Sequence, residues 1–197
     1  MDKSEFQGLI QMGEGRSLEF KRSTPWADRE FKAKIAKSIL AFSNVRDGGR
    51  IVVGIEQKAD GGFHPAGMKI EHLDTWSYDD VASYVSEFAD PFVEFSLENI
   101  DIDSKTFLLI TISEFRELPV ICKKDGNSRL RKGAIYTRTY RMPESAEVPS
   151  QTELREILDI ATEKRIRLFH GMVFRVGLTT PIGQSDSDRF NKQLGEF

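Results

Sequence analysis

Ala41-Phe42-Ser43-Asn44-Val45-Arg46-Asp47-Gly48-Gly49-Arg50-Ile51-Val52-Val53-Gly54-Ile55 is the stretch that decides the fold. It closes a helical pattern, stops it with two glycines, and continues as a β-branched run from Arg50 to Ile55, the composition of a strand covered on both faces. Upstream, from Asp28 to about Val45, Phe31, Ile35, Ile39 and Phe42 recur at helical spacing, with Lys32, Lys34 and Lys37 elsewhere on the cylinder and Asp28 as N-cap. Before that helix, Ser17 to Lys21 alternates, which sends Leu18 and Phe20 to one face of a strand and Ser17, Glu19 and Lys21 to the other. A short leading helix over residues 3–12, with Phe6, Leu9 and Ile10 on one side, ends at Gly13.

Downstream, Asp60-Gly61-Gly62 marks a turn, and a helix from Asp74 or Ser77 to Ala89 buries Val81, Tyr84, Val85 and Phe88 before Asp90-Pro91. Val93, Phe95 and Leu97 alternate with Glu94, Ser96 and Glu98, and Thr106 to Ser113 is mostly apolar. The Asp103-Ser104 turn between them implies an antiparallel pair. Pro119 to Lys123 and Ala134 to Tyr140 are two further strands, joined by the polar loop Lys124-Asp125-Gly126-Asn127-Ser128. Ser150, with Glu153 three residues on, starts a helix along which Leu154, Ile157, Leu158 and Ala161 recur at helical spacing. Together these elements predict a mixed α/β (α+β) domain, a central mixed and partly antiparallel sheet flanked by helices, over residues 1–165. Residues 166–197 form an extension with an apolar stretch (Leu168, Phe169, Val173, Phe174) and a polar end from Gly183, mobile or serving as an oligomerisation arm.

The 197 residues suffice for one domain with a real core, and 39% hydrophobic with 30% charged residues fits a soluble globular protein. Net charge is −3, so affinity for a polyanion has to come from a local patch. Cys122 is the single cysteine, which excludes an internal disulfide or a multi-cysteine metal site and suits a reducing compartment. No apolar run approaches the roughly 20 residues of a membrane helix, and no signal-peptide pattern opens the chain. A cytoplasmic protein is the expectation. Gly13-Glu14-Gly15-Arg16-Ser17 lacks the ending of a P-loop, and Gly48-Gly49 precedes a strand where a dinucleotide fingerprint follows one, so no nucleotide cofactor is expected. His64, His72 and His170 share no metal-ligand spacing, and there is no G-x-S-x-G elbow.

Two constellations carry chemistry. Glu14, Glu19 and Glu56 could form a carboxylate cluster for Mg²⁺ or Mn²⁺, with Lys21 orienting a water or holding a phosphate, provided that Gly13 and Gly15 bend the chain enough to bring Glu14 beside Glu19. Equally open is an ion pair of Glu19 with Lys21 on an exposed strand, with Glu14 a solvated loop acid. Between Lys123 and Arg141, the cations Lys123, Lys124, Arg129, Arg131, Lys132, Arg138 and Arg141 face one acid, Asp125. Tyr136, Arg138 and Tyr140 fall on one face of their strand, a pattern that could present cations to phosphates and rings to unstacked bases. A solvated loop with two rim tyrosines is the competing reading.

Glu14 through Lys21, Ala41-Phe42-Ser43-Asn44, Gly48-Gly49, Gly54-Ile55, Pro119-Val120 and Gly133-Ala134-Ile135-Tyr136-Thr137-Arg138 together resemble the Schlafen-type Alba-like (AlbA) domain. That family includes bacterial DNA-binding or transcriptional-regulator proteins and the core of animal Schlafen proteins, and the resemblance spans about residues 10–165. It implies a single mixed α/β lobe that binds DNA or RNA, and in nuclease-competent members a three-carboxylate site that cleaves tRNA-like RNA with a divalent metal. Glu14 and Glu19 fall on the first two acidic positions; Glu56, followed by Gln57, falls within one residue of the third. Arg138-Thr139-Tyr140-Arg141 departs from the glycine and serine many members carry after the arginine. Animal Schlafen cores join two lobes, so a homodimer is the equivalent expectation, with the apolar stretch after Lys164 as its contact. Nucleic-acid binding is therefore the expected function, a metal-dependent endoribonuclease its alternative, and a protein-interaction or regulatory module using the C-terminal arm a further one.

Overall fold

The computed structural model describes residues 1–127 and 129–177; the expected polar end from Gly183 lies outside the described residues. Helix α1 (Lys3–Met12) is capped by Asp2, whose carboxylate accepts the Glu5 N–H at 2.8 Å, and it closes at Gly13 with φ 73°. Strand β1 (Leu18–Lys21) leads to α2 (Arg29–Ser43), and Asp28 caps that helix as expected by accepting the Phe31 N–H at 2.9 Å. β2 (Gly49–Val53) runs parallel to β1, placing Glu19 opposite Ile51. The two glycines before Arg50 do more than stop a helix. A Cβ on Gly48, where φ is +72°, would lie 2.0 Å from the Ile112 carbonyl, and one on Gly49 would lie 2.1 Å from the Phe42 ring. The strand can pass this close to α2 and its neighbour only without side chains there.

The expected strand from Arg50 to Ile55 breaks in two. Gly54 has φ +111°, a conformation that L side chains rarely adopt, and β3 (Ile55–Gln57) turns off to pair antiparallel with β4 (Phe63–Pro65). One short helix, α3 (Ile70–Leu73), has no strong pattern in the sequence, whereas α4 (Tyr78–Ser86) begins at the N-cap Ser77, which accepts the Asp80 N–H at 3.1 Å. β5 (Ala89–Asp90) follows it. β6 (Phe95–Ile102) and β7 (Lys105–Ile112) make the expected hairpin, with Asp103 and Ser104 both at positive φ, the backbone of a two-residue turn that matches strand twist. The remaining strands are shorter than the sequence suggests: β8 (Ile121–Cys122) pairs with β5, and β9 (Tyr136–Arg138) pairs with β10 (Ser145–Glu147), a strand without a pattern of its own in the sequence. α5 (Gln151–Arg175) ends the described chain.

The main sheet has the order β1-β2-β7-β6, with β1 and β2 parallel and the other neighbours antiparallel, so it is a mixed sheet between helices. Alternation along β2 decides what each face buries. Ile51 and Val53 join Ile35, Ile39 and Phe42 of α2, Val81 and Val85 of α4, and Ile157 and Ile160 of α5 in one cluster. Val52 points the other way, into a second cluster with Phe6 of α1 and with Leu18, Phe20 and Phe107. Fully burying each such side chain contributes roughly 1.5–3 kcal/mol, which is why a strand covered on both faces is so apolar. Residues Met1–Ala161 form one compact unit and the chain from Thr162 a second. In the described part of the second unit, Ile166, Phe169, Met172 and Phe174 are exposed. Among the described residues no helix is long and apolar enough to cross a membrane.

Candidate nucleic-acid interface and carboxylate residues

The bend at Gly13-Glu14-Gly15 exists, and it serves the edge of the sheet. The Gly15 N–H donates to the Leu18 carbonyl at 2.9 Å, and the Glu14 carboxylate folds back to accept the Phe20 N–H at 2.8 Å. β1 is an outer strand, so this N–H would otherwise lack a ladder partner. Glu19 points to the opposite side from Leu18 and Phe20, as alternation predicts, but it is only 6% exposed. Its carboxylate is held by Lys21 on one oxygen and by Nη1 of Arg138 at 3.2 Å on the other. Nη2 of Arg138 donates to the Gly15 carbonyl at 2.9 Å, and the guanidinium lies over the Phe42 ring, 4.9 Å from its centroid. Burial pulls the Arg138 pKa down from its ordinary value; the charges of Glu19, Glu14 and Glu144 oppose that shift.

Glu56 is exposed on β3. Together with Glu14, Lys21, Arg22 and Gln57 it lines a cleft of about 410 Å³ floored by Phe20, Ile55 and Phe63. Glu19 does not line it. Two of the three expected carboxylates and the lysine thus share a cleft, while the third is turned into an ion pair. Among the described residues no group of three or more His, Cys, Asp or Glu side chains could hold a metal ion. A hard cation needs free carboxylate oxygens, whereas both oxygens of Glu19 are held by cations and Glu14 accepts a backbone N–H. As placed, the donor set does not fit a shared divalent metal.

The basic stretch divides into an outer and an inner part. In the outer part, Lys123, Lys124, Arg129, Arg131 and Lys132 are all exposed. The loop that carries them is internally braced: Gly126 and Leu130 bridge, the Lys132 N–H donates to Asp125 at 2.8 Å, and the Tyr136 hydroxyl accepts the Arg131 N–H at 2.8 Å while donating to the Arg129 carbonyl at 3.3 Å. Three of these cations meet acids at the surface, Lys124 with Glu87, Arg131 with Glu147, and Arg129 with Glu30 at 3.8 Å. The hydrogen bond to Glu147 raises the Arg131 pKa, and the same bond holds the Glu147 carboxyl below the usual range.

The inner part corrects the sequence reading. Tyr136 and Arg138 were expected on an open face, but Tyr136 is 3% and Arg138 1% exposed. β9 is paired with β10 on one edge and packed beneath α2, so all three of its residues are buried and neither side chain can reach a ligand. Tyr136 braces the loop and Arg138 clamps β1. Tyr140 and Arg141, just beyond β9, are exposed as expected, and the guanidinium of Arg16 lies 3.6 Å from the Tyr140 ring centroid.

Asn44 is the residue whose role the sequence concealed. Fully buried at the end of α2, its Nδ2 donates to the carbonyls of Val120 and Tyr136, each at 2.9 Å, and its Oδ1 accepts the Val120 N–H at 2.8 Å. One amide therefore ties together the Phe42-Ser43-Asn44, Pro119-Val120 and Ile135-Tyr136 segments. Their joint occurrence was legible; their physical link needed the fold.

The chain belongs to the Schlafen, AlbA_2 family, which matches residues 14–143. Two solved structures are similar to it. One is the DIP2311 protein of Corynebacterium diphtheriae, 16% identical, covering 72% of this chain and 23% of that one, with a TM-score of 0.47. The other is the N-terminal domain of a RecG-related protein of Nitrosomonas europaea, 16% identical, covering 75% of this chain and 86% of that one, with a TM-score of 0.41. This chain thus spans under a quarter of the Corynebacterium protein. No curated protein matches the sequence.

Proposed function

We propose that this domain binds nucleic acid through the phosphate backbone, using the braced loop from Lys123 to Lys132. The observation that carries the reading is five exposed cations on one short segment that contains a single acid, Asp125, whose carboxylate is spent on the Lys132 N–H. The surface acids facing Lys124, Arg129 and Arg131 do not cancel it. Exposed ion pairs are worth about 0–1 kcal/mol, so a polyphosphate strand can displace Glu30, Glu87 or Glu147 at small cost. Membership of the Schlafen, AlbA_2 family agrees with this reading. Contacts of this kind position a strand without reading its sequence.

Replacing Lys123, Arg129, Arg131 and Lys132 together with alanine tests it. Fluorescence anisotropy of a labelled oligonucleotide over a range of salt should show the affinity largely lost, and the slope of log K against log [salt] should fall by about 0.7–0.9 per phosphate contact removed. An unchanged slope would dismiss the loop. Phosphodiester cleavage is the second reading, favoured by the cleft that Glu14, Lys21 and Glu56 share. Incubating labelled tRNA with the protein tests it: cleavage that vanishes in Glu56→Gln supports it, and equal cleavage by both proteins ends it.

A further inference from the structure

Resting on the nucleic-acid reading, we infer that the open face of Tyr140 is a stacking platform for one unpaired base, flanked by arginines that take the adjoining phosphates. The ligand at this point is a single strand, DNA or RNA. Tyr140 differs from the other tyrosines. Tyr136 is buried, Tyr84 packs with Trp26 and Phe88, and Tyr78 lies against Phe95 at 5.3 Å. Tyr140 instead rests on Arg16 and stays 56% exposed, so with one face covered the other must meet solvent. The support beneath it is fixed. Arg16 donates to Glu156 through both terminal nitrogens, Nη1 to Oε1 at 2.9 Å, and through Nε to the Arg138 carbonyl at 3.2 Å. Guanidinium and phenol form two successive layers, with the Glu156 carboxylate bracing the first along its edge, and a base would add a third without the ring having to be ordered first.

The ring also stands between two clefts. One, of about 450 Å³, is lined by Arg46, Arg155 and Thr152; the other, of about 540 Å³, by Arg141, Met142 and Pro149. Both volumes lie in the range of roughly 300–1,000 Å³ that small-ligand sites occupy. Arg155 in the first cleft and Arg141 in the second are both exposed, so each of the two clefts that Tyr140 lines offers a cation to a phosphate adjoining a stacked nucleotide. Asp159 shares the first cleft and Glu144 the second. Acids so close to the arginines suit a base with single phosphates and disfavour the two dense phosphate rows of a duplex.

Anisotropy titrations of the full chain against labelled oligothymidylate, oligouridylate and a duplex of matching length test the inference. Tyr140→Leu should weaken binding of one or both single strands by about 5- to 150-fold, the equivalent of one base–aromatic stack. Duplex binding should be unchanged, and Tyr140→Phe, which keeps the ring, should bind as the native protein does. Arg155→Ala should lower the single-strand salt slope by about 0.7. Circular dichroism of Tyr140→Leu checks that the fold survives, and Tyr140→Phe with Arg155→Ala carries the test if it does not. Native-like single-strand binding by Tyr140→Leu, or equal losses on single strand and duplex, overturns the platform while leaving the loop reading intact. A native chain that binds none of the three overturns both.

Discussion

Arg138 and Arg131 each meet a glutamate, and the surroundings reverse what the two pairs do. The side chains of Arg138 and Glu19 are 1% and 8% exposed, whereas those of Arg131 and Glu147 are 61% and 47% exposed. Inside, the charges have left water and depend on one another, on the Gly15 carbonyl and on the Phe42 ring. Removing one partner there strands the other in a low-dielectric interior. Outside, water and salt already solvate both charges, so the pair adds little to stability and opens readily for another anion. Arginines drawn from one basic stretch of sequence thus divide into a buried clamp and an exposed, exchangeable charge by burial alone.

The largest effect expected is from breaking the inner pair. Arg138→Met leaves Glu19 with Lys21 alone and should cost about 3–5 kcal/mol, read as a lower denaturant midpoint. Adding Glu19→Leu should recover most of that loss, because replacing both buried charges with apolar groups is often neutral. If the double variant is no more stable than the single one, burial of the pair is not what separates the two regions. Next comes Asn44→Ala, which orphans the Val120 N–H and two carbonyls; at about 1–3 kcal/mol for each group left unsatisfied, it should lower the midpoint clearly.

Arg131→Ala, the outer counterpart of Arg138→Met, should leave the denaturant midpoint close to that of the native protein and act on binding instead. Glu147→Gln sharpens the contrast further. It releases Arg131 and should raise affinity for an oligonucleotide by up to about fivefold, the worth of an exposed pair. Its pH signature is smaller still. Because Arg131 holds the Glu147 carboxyl below the ordinary range, the pair's contribution is complete above that range and fades as pH falls through the lower folded value. An acid titration of the midpoint should therefore fall slightly less steeply in Glu147→Gln than in the native protein.

Much of this was legible in the sequence, and the failures have physical causes. The caps Asp28 and Ser77, the Asp103-Ser104 turn and the α2 stripe are local signals, set by contacts within a few residues. The break at Gly54 was missed because a β-branched run reads as one strand until a backbone neighbour, here Gly67, forces the turn. β10 was missed since Ser145-Ala146-Glu147 has no strand pattern of its own and owes its shape to β9. At the candidate site, alternation separated Glu19 from Leu18 and Phe20 correctly, but the open face it implied for Tyr136 and Arg138 is buried. Periodicity says which residues share a face, however, and only long-range packing says whether that face is wet, so the two polar faces that closed on each other could not be recognised as buried.

The clamp on β1 also bears on how the chain comes into being. Glu19 and Arg138 are 119 residues apart, so a growing polypeptide presents the acid long before its arginine exists. The β6–β7 hairpin needs only neighbours and can form early, while β1 cannot seal its inner face until β9 has emerged. The clamp can therefore close only after β9 has been made, and a shortened chain ending before Tyr136 would leave Glu19 without its arginine on an outer strand, the kind of edge that pairs with other molecules.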